Sequence, residues 1–506
     1  MLRKIRIIIA TIFFLGITWL FIDFTGIAQT WLGWMAKIQF LPAVLALNVA
    51  VIVVLALLTL LLGRIYCSVI CPLGIMQDIF AALGRKAKKN RYHYSKAKNW
   101  LRYTVLAVFI ILMVTGLAGI ATIIAPYSAF GRIAQSLLQP VWMWGNNLCA
   151  MAAEHYDSYA FYSVDVWMKS LPVIIIAVVT LVALAILAWR NGRTYCNTIC
   201  PVGTVLGFIS RFSIFKPVID TTKCNSCGLC SRRCKAACIN PKEHAIDYSR
   251  CVVCMDCLDN CRQGAISYRL AFPKKKDGNA EGGKVEQTDI KTNDTENVDK
   301  SKRAFITGTA IAIGTATIKA QKMKVDGGLA TIEDKKVPER KTRIVPPGSL
   351  SIAHLAQHCT GCQLCVSECP NNVLRPSTSL TNMMQPELSY ERGFCRPECT
   401  RCSDVCPTGA IKPISREQKA STQIGHAVWI RCNCVAVHAD HPCGLCAKKC
   451  PTGAITMVPF HHKGRDVMVP AINEEKCIGC GKCENLCPGR PFSAIYVEGH
   501  ETHKEI

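Results

Sequence analysis

Four long apolar runs dominate the start of the chain, near 5–25, 41–62, 103–125 and 171–189. Each is long enough to cross a bilayer as a helix. The second holds one amide, Asn48, and no charge in 22 residues. A buried helix of a soluble protein can look like this once, but four in succession predict a membrane domain over residues 1–215. The start MLRKIR is basic and residues 84–102 carry eight Lys or Arg, whereas 126–170 carries only Arg132 and Lys169. The positive-inside rule then puts the N-terminus and the 63–102 segment in the cytoplasm, and the 26–40 and 126–170 loops outside. Trp31, Trp34, Trp142 and Trp144 fall on the outer side, either as an interfacial belt or packed against helices.

The pattern changes after residue 215. Residues 273–303 lack aromatics and hold few aliphatics, which predicts a disordered tether. A fifth apolar segment, 304–320, is short and rich in small residues, marginal for a span and closer to a signal core. It follows SKRAFI, which is similar to a twin-arginine export signal with Lys302 in place of the first arginine. The other reading is a surface-packed helix of a cytoplasmic domain.

Composition adds one large fact: 31 of the 506 residues are cysteine. Between 216 and 272, and again between 340 and 506, they fall into groups. Cys224, Cys227, Cys230 and Cys234 are spaced C-x2-C-x2-C-x3-C. The spacing recurs at Cys251, Cys254, Cys257 and Cys261, at Cys359, Cys362, Cys365 and Cys369, and at Cys477, Cys480, Cys483 and Cys487. Two groups vary it: Cys395, Cys399, Cys402 and Cys406, and Cys434 (or Cys432) with Cys443, Cys446 and Cys450. Three thiolates in a tight loop wrap one face of a [4Fe–4S] cube, and the fourth points away to a neighbouring cube. Structural zinc wants two separated ligand pairs, and cysteines this close cannot readily bridge one another. The reading is six [4Fe–4S] clusters with swapped fourth ligands. In the first module Cys261 joins Cys224, Cys227 and Cys230, while Cys234, or Cys238 in its stead, joins Cys251, Cys254 and Cys257. Cys149 has no partner nearby and reads as a packed thiol.

The formal charge of +24 would ordinarily suggest nucleic acid. Here part of it orients the apolar segments, and each four-thiolate cubane returns about two negative charges. Nucleic-acid binding is not expected. No Gly-rich nucleotide loop in a strand–helix context is present.

Two further cysteine pairs sit just past apolar runs, in GRIYCSVICPLG (63–74) and GRTYCNTICPVG (192–203). Cys67 and Cys71, and Cys196 and Cys200, are each one helical turn apart. The frames repeat with a shift of 129 residues: Gly63/Gly192, Arg64/Arg193, Tyr66/Tyr195, Pro72/Pro201 and Gly74/Gly203. Packed about a pseudo-twofold axis, they would bring four thiols into one redox site: a further cluster, a metal or a reversible disulfide. The bland reading is packed thiols at a helix turn.

These motifs carry a resemblance. GRIYCSVICPLGIMQD, GRTYCNTICPVGTVLG and the two quartets after them make residues 1–270 similar to the membrane polyferredoxin (NapH type) of periplasmic nitrate reductase systems. Residues 300–506 resemble the partner four-cluster ferredoxin (NapG type) through SKRAFI, VPPGSL, CTGCQLCVSECP, CTRCSDVCPTGAI and CGLCAKKCPTGAI. The chain looks like the two fused. It departs at Lys302, and at Lys235 and Arg262, which replace proline after Cys234 and Cys261.

The resemblance implies an α-helical membrane domain plus α+β bacterial-type ferredoxin modules. It implies oxidation of menaquinol or ubiquinol from the membrane pool, with electrons passed to an extracytoplasmic reductase or cytochrome in anaerobic respiration. The first module would be cytoplasmic and the last domain periplasmic, at a bacterial inner membrane. It also implies a nested pairing of the last four cysteine groups, outer with outer and inner with inner. The alternatives are a cytoplasm-facing polyferredoxin fed by a soluble reductant, and a redox sensor or accessory protein for metalloenzyme maturation. Glu154, His155 and Asp157 are candidates for quinol proton chemistry, or simply solvated loop residues.

Overall fold

The computed structural model describes residues 2–88, 92–158, 160–270, 333–438, 442–462 and 464–506. The expected tether, the segment 304–320 and Lys302 lie outside the described residues. The described residues up to 270 pack as one unit with those from 336 onward.

Two of the four expected spans are full-length helices, Leu2–Ile22 and Leu171–Asn191, 21 residues each. The other two are interrupted. Asn48 caps a new helix, accepting from Val51 N at 3.3 Å, so the 41–62 run becomes Phe40–Leu45 and Val49–Leu62. Gly116, with φ at 80°, follows the helix Asn99–Val114 and breaks the 103–125 run. These shorter helices of 14 and 16 residues reach about 21 and 24 Å at 1.5 Å per residue. All four turn large aliphatics outward, among them Ile8, Ile12, Leu15, Val54, Leu57, Ile111, Val114, Val179 and Ile186.

Gly63 and Gly192 end Val49–Leu62 and Leu171–Asn191 with φ of 74° and 69°, a conformation that costs glycine little. Each glycine also lies where a Cβ would strike the first ferredoxin module, at Val253 Cγ2 (2.9 Å) and Lys235 O (2.3 Å). That module is closed by the antiparallel strands Phe215–Ile219 and Ile266–Leu270. It is tied to the helices by buried charge. Asp78 meets Arg6 (3.1 Å), Arg193 (2.7 Å) and Lys235 (3.1 Å), and Asp256 meets Lys235 (3.2 Å) and Arg3 (2.8 Å).

The last domain is held by the antiparallel pairs Thr422–Trp429 with Ile495–Glu505, Leu374–Pro376 with Pro386–Leu388, and the hairpin Ile455–His462 with Arg465–Ile472. It docks at the other end of the helices. Gln139 donates to Ser367 O (3.2 Å), Lys169 to Val366 O (2.5 Å) and Arg401 to Thr25 O (3.3 Å). Helix Leu2–Ile22 therefore begins at the first module, through Arg3, and ends near the last domain, where Phe21 packs on Tyr127 and Phe130. Its 21 residues separate the two ferredoxin parts by about 30 Å.

Candidate iron–sulfur sites

The four regular cysteine loops share one backbone device. The residues immediately before and after the second cysteine are both left-handed: Ser226 and Gly228, Val253 and Met255, Gly361 and Gln363, Gly479 and Gly481. Successive turns of this kind curl the amide N–H groups inward into an anion-binding nest. Four of these eight positions are not glycine, and Val253 is β-branched, so conformational strain is retained at the site. After each loop the chain enters one helical turn, such as Leu364–Ser367 or Lys482–Leu486. The two variant groups lack the alternation. In one of them Lys419 donates to the carbonyls of Arg396 and Cys399. Burial disfavours the Lys419 charge, but Cys395 and Cys402 outweigh it and raise its affinity for the proton.

The fourth cysteines are swapped. Cys261 lines a cavity of about 260 Å³ with Cys224, Cys227 and Cys230. Cys234 and Cys238, their sulfurs 3.5 Å apart, face Cys251, Cys254 and Cys257. In the last domain the nested pairing is overturned. Cys369 lines a cavity with Cys395, Cys399 and Cys402, and Cys406 stands beside Cys359, Cys362 and Cys365. Likewise Cys487 joins Cys434, Cys443 and Cys446, and Cys450 approaches Cys477 and Cys480, with Cys483 alongside. Neighbours in sequence pair, because each group's fourth cysteine leaves its loop toward the next one folded against it. Cys434 is buried at its site, whereas Cys432 is exposed.

The residues fit the group that the spacing implies. Among the described residues no three Cys, His, Asp or Glu converge closely enough for a single metal ion. Four of the quartets instead line cavities, those completed by Cys261, by Cys234 and Cys238, by Cys369 and by Cys487. Burial pushes the Cys254 thiol up to about 12, so a thiolate there needs bound iron to stabilise it.

Cys67, Cys71, Cys196 and Cys200 are all buried and close to one another. The repeated frame explains how. Arg64 reaches into the second repeat, donating to Cys196 O (3.1 Å) and Asn197 Oδ1 (3.0 Å). Arg193 reaches into the first, donating to Cys67 O (2.6 Å). Gly74 and Gly203 admit these guanidinium groups: a Cβ there would lie 2.8 Å from Arg193 Nη1 and from Arg64 Nη2 respectively. Tyr66 and Tyr195 anchor the frames through their hydroxyls, to Gln39 Oε1 (3.0 Å) and Ile124 O (2.5 Å). Gln77, missed in the sequence, donates to Cys196 Sγ at 3.3 Å.

Other expectations resolve simply. Cys149 is not packed; it is exposed on the helix Gln139–His155. Glu154, His155 and Asp157 are exposed too. Trp31, Trp34, Trp142 and Trp144 are at least half exposed.

The chain matches the family described as 4Fe-4S binding domain at residues 44–91 and 170–219, and 4Fe-4S dicluster domain at 358–425 and 441–490. It is 42% identical over 80 residues to an uncharacterized protein of Methanocaldococcus jannaschii, covering 16% of this chain and 31% of that one. It is 25% identical over 240 residues to the putative electron transport protein YccM of Escherichia coli K12, 47% of this chain and 58% of that one. It is 30% identical over 200 residues to the methylamine utilization ferredoxin-type protein MauM of Methylorubrum extorquens, 37% of this chain and 84% of that one. The chain thus spans about a third of the first relative's length and under two thirds of the second's. No solved structure matches. With the family-model matches lying on the Cys67/Cys71 and Cys196/Cys200 frames and on the cysteine loops of the last domain, the chain belongs to the ferredoxin-type family that includes MauM and carries 4Fe-4S domains.

Proposed function

We propose that the protein is a membrane-bound quinol dehydrogenase that sends electrons through six [4Fe–4S] clusters to an extracytoplasmic reductase or cytochrome. The observation that carries this reading is the order of the cysteine sites. The first module's sites lie at one end of the helices. In the last domain the Cys406 and Cys369 sites come next, then the Cys450 site, which joins them where Cys395 N meets Cys480 O at 3.0 Å, then the Cys487 site. Bound clusters would each supply a one-electron redox centre. The chain's own part is to hold the centres in file, insulate them and orient them.

Membrane location is supported by the aliphatic outer faces of the helices and by the exposed tryptophans. Lipid, rather than water, suits such surfaces. Quinol would yield two electrons and two protons in the bilayer, and the electrons would leave singly.

A second reading draws on the same geometry. Since the two ferredoxin parts sit at opposite ends of Leu2–Ile22, a soluble cytoplasmic donor could load the first module and send electrons outward. Topology frames both readings. With a tag after Ile506, protease added to intact spheroplasts should remove the tag. Protection until lysis would put every cluster inside and favour the cytoplasm-facing polyferredoxin.

A further inference from the structure

We propose that Cys67, Cys71, Cys196 and Cys200 hold a seventh [4Fe–4S] cluster, two thiolates from each repeat. It would join the two ferredoxin parts into one unbroken row. This rests on the electron-transfer reading above but not on quinol being the donor.

The first argument is charge. Arg64 is fully buried and pairs with no carboxylate among the described residues. Its Nη2 lies 3.8 Å from Cys67 Sγ. Arg193 Nη1 lies 3.9 Å from Cys196 Sγ. A buried cation without a counter-charge is costly. Four neutral thiols or two disulfides offer none. A four-thiolate cubane carries about two negative charges and would supply the counter-charge that Arg64 lacks, Arg193 being paired already with Asp78.

The second argument is shape. The four sulfurs come from two helix turns related by the repeat, and no three of them converge tightly enough for one ion. Zinc would also add a redox-inactive stop in the file.

The third argument is position. On one side Arg193 N donates to Lys235 O at 2.8 Å, and Lys235 follows Cys234 of the adjacent site directly. On the other side Tyr195, next to Cys196, donates to Ile124 O. Thr122, two residues earlier, would touch a Cβ at Gly361, which precedes Cys362. Arg132 braces this bridge, donating to Thr122 O (3.1 Å) and Ile123 O (2.8 Å). The four-thiol site is thus joined by a covalent and hydrogen-bonded path to a quartet on each side. At each transfer one electron enters and one leaves, and no bond is made or broken.

The test is metal and sulfide content of the purified full chain, with thiol alkylation after denaturation without reductant. The proposal predicts about 28 iron and 28 sulfide per chain, seven cubanes of four, no zinc, and all four cysteines alkylated. Cys71→Ala/Cys200→Ala should lose about four of each and one electron paramagnetic resonance component. If that variant does not fold, the wild-type count decides alone. About 24 iron, one zinc per chain or unalkylated cysteine pairs would each overturn the proposal. About 24 iron in a protein whose last-domain clusters are still reduced by quinol would sink the seventh cluster only. A count of 28 with no reduction by quinol would sink the quinol reading only.

Discussion

Arg193 and Asp78 form a buried pair, with Nε 2.7 Å from Oδ1, that links the second repeat to the helix of the first. Burial works against the Asp78 charge, but Arg193, Lys235 and Arg6 overcome it and hold the carboxyl far below the usual range. The same Arg193 positions Cys67 through its carbonyl, so one carboxylate supports both the dock of the first module and the frame of the four thiols.

Removing that carboxylate should be severe. Asp78→Asn leaves Arg6 and Arg193 buried without their carboxylate, Lys235 alone keeping Asp256, and should cost about 3 to 5 kcal/mol. Thermal unfolding in detergent would show a large fall in Tm. An unchanged Tm would mean that the network is not formed.

The paired glycines should be equally intolerant. A Cβ at Gly74 would lie 2.2 Å from Cys67 O, and one at Gly203 would lie 2.3 Å from Cys196 O. Either Gly→Ala change forces the frame apart and should cost about 1 to 3 kcal/mol or more. Gly145→Ala is the control. It sits mid-helix with open space around it and should gain up to about 1 kcal/mol.

Sequential pairing of the last four groups makes a prediction in iron content. Cys362 and Cys406 belong to one site, so their double alanine variant should lose no more iron than either single one. Cys362 and Cys487 belong to different sites, and their losses should add. The nested pairing implies the reverse, so two iron assays separate the schemes.

His503 gives a pH signature in the last domain. Burial, helped by His500, lowers its pKa to about 4. The unfolded imidazole takes up its proton near about 6.5, so the folded state binds fewer protons between these values. Its stabilising contribution is complete above about pH 6.5 and drains away as pH falls toward about 4. His503→Gln should flatten the slope of Tm against pH across that window. An unchanged slope would mean that the imidazole is not held neutral.

The clearest signals in the sequence were those set by local chemistry. The C-x2-C spacing fixes a loop, and all four regular loops adopt the same left-handed alternation. The repeat at a shift of 129 residues pointed to a shared thiol site, and the crossed Arg64 and Arg193 contacts are its physical content. Hydropathy overstated two spans, because an average over 22 residues hides the single cap Asn48 and the single stop Gly116. The group pairing lay beyond spacing altogether, since it depends on which loops fold against each other. Gln77 and Arg132 gave no signal, as their roles arise only from tertiary contact.

The central claim is that quinol delivers electrons to the file of clusters. The most direct measurement is anaerobic addition of a reduced menaquinone analogue to the full chain in lipid nanodiscs, followed by electron paramagnetic resonance. Reduced-cluster signals should appear within the mixing time and fade when an oxidised acceptor is added. If the clusters stay silent with quinol and respond only to dithionite, the protein is not a quinol dehydrogenase, and a soluble donor at the first module becomes the source.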